Sequence, residues 1–225
     1  MSVALRSDVR RRLLLAGACA AVAQFAGAQQ APPLVEAAAR GDLARVQALL
    51  QGGADVEQRD ASGRTAVLAA TDGNHLEVVR SLIARGANVN AQDHQQDSAF
   101  LLAGARGYTE IVRATFAAGA DLKLPNRYGG NALIPACERG HVDTVRFLLT
   151  TPMDVNQVNN LGWTCLLEAV ILGSGGPAHQ EIVGMLIARK ANLNLADREG
   201  VTPLQHARRR GQKEVAELLI KAGAR

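Results

Sequence analysis

The sequence predicts an all-α repeat solenoid, and three observations carry that prediction. The step Gly53-Ala54-Asp55 returns as Gly86-Ala87-Asn88 and Gly119-Ala120-Asp121, each 33 residues on. It continues in altered form as Pro152-Met153-Asp154 after 33 residues, Lys190-Ala191-Asn192 after 38, and Gly223-Ala224 after 33 more. Within each interval, two short stretches place apolar residues at helical spacing. A period of this length marks stacked supersecondary units. None of them can bury its apolar stripe alone, so stability comes from neighbours in a row.

The best-preserved unit runs from residue 60 to residue 92. Asp60 and Gly63 supply a turn, a carboxylate that bonds nearby backbone and a residue that tolerates positive φ. Thr65 is the expected N-cap of a short first helix. Gly73-Asn74 breaks that helix, and a second follows from His75 to Ala84, with Leu76, Val79, Leu82 and Ile83 on one face. Gly86 ends it in the left-handed region.

The same grammar divides the chain into an N-terminal cap (32–59, helices Leu34–Arg40 and Asp42–Gln51), full units 60–92, 93–125, 126–158 and 159–196, and a C-terminal cap (197–225). The unit 159–196 carries five extra residues within Gly173-Ser174-Gly175-Gly176-Pro177. Its first helix is expected to run longer and bury Ile171 and Leu172. In unit 93–125, Gln96 and Ser98 replace the usual glycine and threonine, so its turn is expected to be less regular.

The period, together with Thr202-Pro203-Leu204 and Ala207 in the last unit, resembles the ankyrin-repeat family from about residue 32 to the end. The resemblance implies helix-turn-helix units joined by β-turn or hairpin loops. It also departs from the family. Leu68, Leu101, Ile134, Leu167 and Gln205 stand where the family places a histidine after Thr-Pro-Leu, so apolar packing replaces a hydrogen-bond network.

Residues 1–28 fall outside the repeat. Arg6, Arg10, Arg11 and Arg12 precede an uncharged apolar run, Leu13 to Ala23, and Ala26-Gly27-Ala28 offers a small-x-small cleavage site before Gln29. This is the pattern of a cleavable secretory signal peptide of bacterial type, with 29–31 as a short linker. The run is too short to span a bilayer, so no membrane span is expected. Arg10-Arg11-Arg12-Leu13-Leu14 fits a loose twin-arginine pattern but lacks the preceding Ser or Thr, which favours ordinary secretion. A lipid anchor at Cys19 is disfavoured because Leu15 stands four residues before the cysteine, where three is usual.

The formal charge of the whole chain is +4, but residues 1–28 hold four Arg against Asp8, leaving +1 on the mature chain. The basic character belongs to the leader and does not argue for nucleic acid. Cys137 and Cys165 occupy the twelfth and seventh positions of adjacent units. Five positions of offset is about 7.5 Å along a helix axis, more than a disulfide tolerates once the spacing between helices is added. Two buried free thiols are expected.

No catalytic, cofactor or metal site is expected. His75, His141 and His179 recur at the start of second helices, with Tyr108 interrupting the row, which reads as structural. His94 falls in a turn and His206 in the last cap, without a second ligand at metal spacing. The sequence contains no G-x-S-x-G, H-E-x-x-H, P-loop or C-x-x-C.

The resemblance implies a concave contact surface made by the second, third, fifth, thirteenth and fourteenth positions of each unit. In a chain with one Trp and two Tyr, those positions hold Tyr128 and Trp163 on adjacent turn tips, with Arg127, Arg139, Arg106 and Leu161 around them. Aromatics and arginine are enriched at interface hot spots. Trp163 stays open to a second reading, as packing on the neighbouring turn. The expectation is a non-catalytic protein-protein interaction module or scaffold in the bacterial periplasm, whose partner is another exported protein. The alternatives are a lipid-anchored structural envelope component, or a cytoplasmic ankyrin regulator if the leader is not cleaved.

Overall fold

The computed structural model describes residues 31–225. The expected signal peptide, its cleavage point at Ala28 and Gln29, and Cys19 lie outside the described residues. Within them the chain forms helix pairs: α1 (Pro33–Ala39) with α2 (Leu43–Gln51), α3 (Ala66–Asp72) with α4 (Leu76–Ala84), and α5 (Ala99–Arg106) with α6 (Thr109–Ala117). The series continues with α7 (Leu133–Glu138) and α8 (Val142–Leu148), α9 (Cys165–Ile171) and α10 (Pro177–Ala188), and α11 (Pro203–Arg209) and α12 (Lys213–Lys221). First helices stack on first helices and second on second. One continuous core runs between the two layers, from Leu34 in the N-terminal cap to Leu219 in the C-terminal cap. Among the described residues a single isolated antiparallel bridge, Arg59 with Thr65, adds β character to the turns.

The turn before each first helix needs a left-handed residue at the fourth position. Gly63, Gly129, Gly162 and Gly200 supply it, and Gln96 adopts the same conformation at φ 60°. The turn of unit 93–125 therefore keeps its shape, with the backbone cost placed on a residue that carries a Cβ. Ser98, Thr164 and Thr202 accept the expected capping bond from backbone N–H groups, and Gln205 completes a capping box with Thr202. Thr65 departs from expectation: its backbone has the N-cap conformation, but its hydroxyl is buried without a partner. Leu68, Leu101, Ile134 and Leu167 are all buried, so the substituted histidine positions do pack apolar side chains.

Second helices end on left-handed Gly86 and Gly119, and Lys190 takes that conformation at φ 60° where glycine is missing. Pro152 cannot follow, because its ring fixes φ near −65°. There the Thr150 and Thr151 hydroxyls donate to the carbonyls of Phe147 and Leu148 at 2.7 and 2.6 Å, and α8 is shorter than α4 or α6.

The insertion corrects one expectation. α9 ends at Ile171, which is half-buried, and Leu172 is exposed, so the first helix is not extended over them. The extra length instead adds residues to the start of α10, which has 12 residues against 9 in α4 and opens on Pro177. Proline is preorganised for the first helical turn and its missing N–H costs nothing there.

The cysteines correct another. Cys137 and Cys165 form a disulfide with Cα atoms 5.6 Å apart. Stacked first helices are staggered, so the twelfth position of one unit lies against the seventh of the next. The preceding pair shows the same register: a Cβ on Gly104 would come within 2.7 Å of the Ala132 Cβ. The offset that seemed to separate the cysteines along their helices is the offset that brings them together.

The histidine row has a mechanical role. The Nε2–H of His75 donates to the Ala39 carbonyl at 3.2 Å, that of His141 to Ala105 at 3.2 Å, and that of His179 to Glu138 at 2.9 Å. Each acceptor ends the first helix of the preceding unit, where carbonyls lack helical partners. Gln212 does the same work in the last cap, donating to Val170 and Gly173 at 3.0 and 3.1 Å. Burial holds the His141 pKa below its ordinary value, partly offset by the bond to Ala105, while Arg139 adds to the depression. The bond from His141 to Ala105 ties two units together.

Candidate functional site

The turn tips and the ends of the first helices form one face, and adjacent tips are tied to each other. Asn160 N–H donates to the Tyr128 carbonyl at 2.7 Å, as His94 N–H does to Ser62 at 3.0 Å two units earlier. Arg198 packs its side chain directly against Gly162, so the 128, 161 and 198 turns follow one another without a gap. An Asx-type bond shapes each tip: the Asn126 carboxamide accepts from Tyr128 N–H, and that of Asn159 accepts from both Leu161 and Trp163 N–H.

Arg106, Arg127, Tyr128 and Arg139 line one depression between α5 and α7. Tyr128 is 52% exposed, with the Arg127 guanidinium 5.0 Å from its ring centroid. A cation over an aromatic face is attracted by the ring quadrupole. Arg127 also reaches Asp97 and Gln95 of the preceding unit at 3.3 and 3.1 Å. Arg106 pairs with Asp72 at 3.0 Å, and Arg139 donates to the Ala105 carbonyl at 2.9 Å. These three arginines thus bind across unit boundaries within the chain, which places each side chain and occupies part of its donor capacity.

Leu161 and Trp163 lie on the next tip, outside that depression. Leu161 is 48% exposed and Trp163 is half-buried. Val158 and Leu172 are likewise exposed in the same region. Nothing in the core cluster requires Tyr128, Leu161 or Trp163.

One feature escaped the sequence reading. Glu168 sits in the middle of α9, is only 5% exposed, and accepts from the Asn159 carboxamide at 2.7 Å. Burial, with Glu138 adding to it, pushes its carboxyl up to about 7 against the opposing pull of the Asn159 bond and Arg139. The equivalent residue in the last cap is His206, whose Nε2 lies 2.6 Å from Asp197. Both side chains fasten a first helix to its own opening turn. The signal was present: Glu168 is an acidic residue between Leu167 and Ala169 in an otherwise apolar helix.

Asp97 faces the α5–α7 depression. Burial raises its pKa, Arg127 lowers it, and Asp93 raises it again. Among the described residues no group of three His, Cys, Asp or Glu is placed to hold a metal ion, and no helix is long and apolar enough to cross a membrane.

The family described as "Ankyrin repeats (3 copies)" matches residues 11–93, 34–126 and 100–197, and "Ankyrin repeats (many copies)" matches residues 177–220. The chain is similar to the ankyrin repeat protein YahD of Escherichia coli K12, at 51% identity over 59 residues, which is 26% of this chain and 29% of that protein. It is similar to the crystal structure of an ankyrin repeat domain from Acinetobacter baumannii AYE, at 53% identity and TM-score 0.83, over 86% of this chain and 98% of that one. It also matches a chain in the complex of a predatory endopeptidase from Bdellovibrio bacteriovorus with an immunity protein. That match has 25% identity and TM-score 0.72, over 84% of this chain and 97% of that one.

Proposed function

The chain belongs to the ankyrin-repeat family, whose repeats are protein-protein interaction modules, and from that premise we propose that it is a non-catalytic binding module working in the bacterial periplasm. The observation that carries this reading is the row of turn tips. Tyr128 and Leu161, each about half exposed, occupy equivalent positions on adjacent tips in a stack whose core is complete without them. Trp163 extends that row, and Arg127, Arg139 and Arg106 border it. Large apolar side chains held on rigid backbone, beside arginines, are the makings of an interface hot spot.

Two features support export. The leader has the three-part pattern of a secretory signal. The disulfide between Cys137 and Cys165 suits an oxidising compartment, since such bonds are rare in mesophile cytosol. The likeness to a chain of the endopeptidase–immunity protein complex gives the role a concrete form. The partner of this protein is then an exported protein, one candidate being an enzyme that it restrains.

Affinity capture from periplasmic extract tests the binding role, with a Tyr128→Ala/Trp163→Ala variant alongside and thermal melting as a check on folding. Capture that needs these residues supports the reading, and a partner held equally by the variant contradicts this surface. The mass of the protein recovered from periplasm tests export, with a mature N-terminus at Gln29 expected. A lipidated N-terminus at Cys19 would favour the envelope-component alternative, and an intact leader the cytoplasmic one.

A further inference from the structure

The turn-tip face changes character along the stack. In units 60–92 and 93–125 its charges are satisfied from within. Arg64 binds Asp60 at 2.9 Å, Arg106 binds Asp72 at 3.0 Å, and Asp97 is held by Arg127 at 3.3 Å. From unit 126–158 onward the face turns apolar, with Tyr128, Leu161, Trp163 and Leu172. It ends on a basic margin, Arg198 on the last tip and Arg209 and Arg210 at the end of α11.

That margin differs from every arginine pair upstream. Among the described residues, no ion pair or side-chain hydrogen bond engages Arg198, Arg208, Arg209 or Arg210, and all four are exposed. Two carboxylates flank Arg198 in sequence: Asp197 is buried and engaged with His206, and Glu199 is exposed and unpaired. Arg198 is not remote from the apolar tips, because its Cγ rests against Gly162, between Leu161 and Trp163. Arg209 and Arg210 occupy the thirteenth and fourteenth positions of their unit, the positions Glu138 and Arg139 hold two units earlier. Arg139 reaches back across the boundary to the preceding first helix. The same reach from Arg210 leads to the end of α9, where Leu172 is exposed.

We infer that the C-terminal half of this face docks an acidic segment of a partner protein, an apolar side chain seated on Leu161 and Trp163 and carboxylates meeting Arg198, Arg209 and Arg210. This rests on the protein-binding reading above and specifies the chemistry of its partner. Charge complementarity selects the occupant. Unpaired guanidinium groups beside apolar surface favour carboxylates, which they can take in bidentate geometry. A second copy of this chain would bring the same basic margin and be repelled.

Selection from a displayed library of random peptides tests the inference, with the purified protein as bait. The expected result is enrichment of sequences with Asp or Glu within a few residues of Leu, Phe or Trp. Fluorescence anisotropy on a selected peptide should show an affinity loss of about tenfold or more for Arg198→Glu/Arg210→Glu and for Leu161→Ala, the scale of a hot-spot residue. It should show no loss for Arg45→Glu on α2, and weakening as salt rises over a range where the Debye length falls below about 8 Å. Selected peptides without carboxylates that still depend on Leu161 overturn the acidic partner and leave the protein-binding reading standing. Peptides indifferent to both Leu161 and Tyr128, or no enrichment at all, overturn the inference and count against this surface altogether. Vesicles rich in phosphatidylglycerol serve as a parallel probe: binding lost in Arg198→Glu/Arg210→Glu, without peptide enrichment, assigns the margin to a lipid surface and overturns the proposal.

Discussion

Where unit 60–92 meets unit 93–125, Arg106 reaches across to Asp72, and the facing helices carry Thr71 and Ala99 at the twelfth and seventh repeat positions. Where unit 126–158 meets unit 159–196, the same two helix positions are Cys137 and Cys165, joined covalently, and the tips above them carry exposed apolar side chains. The N-terminal boundary uses exposed ion pairs and small residues. The C-terminal boundary uses a disulfide. The half with the covalent clip is also the half that leaves Tyr128, Leu161 and Leu172 facing solvent. Reinforcement from within lets a repeat keep apolar surface outside, because the lost burial is compensated by a constraint on the unfolded chain.

Several substitutions can break or sharpen this contrast, and the disulfide should matter most. Reduction of the Cys137–Cys165 bond is expected to lower unfolding stability by about 3 kcal/mol, given the loop it closes. Denaturant melts with and without reductant measure it. Thiol titration of denatured, unreduced protein should find neither cysteine free, and finding both free would remove the contrast.

Glu168 gives the next largest effect. The folded protein holds this proton more tightly than the unfolded chain does, since its carboxyl is raised from 4.5 to about 7. The stabilisation is complete below about pH 4.5 and is lost as pH rises toward 7. Glu168→Gln should abolish that decline and leave the variant more stable at pH 8, by on the order of 2 kcal/mol. Melts across this pH range read it directly, and parallel curves for the two proteins would contradict the assignment.

Gly104→Ala probes the same register in the N-terminal half. Its Cβ would meet the Ala132 Cβ at 2.7 Å and the Ala132 carbonyl oxygen at 3.0 Å. A loss of about 1–3 kcal/mol is expected from overpacking. Gln96→Gly should move stability the other way, by about 1 kcal/mol, because it relieves a left-handed conformation on a residue with a side chain. The smallest effect belongs to Arg106→Ala. Its pair with Asp72 is exposed on both sides, so less than about 1 kcal/mol should be lost.

The period, the helix pairs and the left-handed turn positions were legible because each has a local cause that a single repeat displays. Gly63, Gly86 and the apolar stripe of α4 announce themselves within one unit. What was not legible depends on how units meet. The Cys137–Cys165 bond follows from a stagger between stacked helices, and spacing along one helix says nothing about stagger. The exposure of Leu172 follows from the insertion feeding α10 instead of α9, a choice made by Pro177 at a helix start. The unpartnered Thr65 hydroxyl looked like its counterparts Thr164 and Thr202 in sequence and differs only in geometry. At the candidate surface, Tyr128, Arg127, Arg139 and Arg106 could be grouped from repeat position alone. That these arginines form hydrogen bonds across unit boundaries, while the Arg198 and Arg210 guanidinium groups form none, needed the structure.

The central claim is that partner binding resides in the C-terminal half of the turn-tip face. Its most direct test is quantitative capture of one identified partner protein by two matched variants, Tyr128→Ala/Leu161→Ala and Ser62→Ala/Arg64→Ala, both confirmed folded by melting. Loss of capture in the first with retention in the second is the predicted result. Retention in the first with loss in the second would place the interface in the N-terminal half and contradict the account.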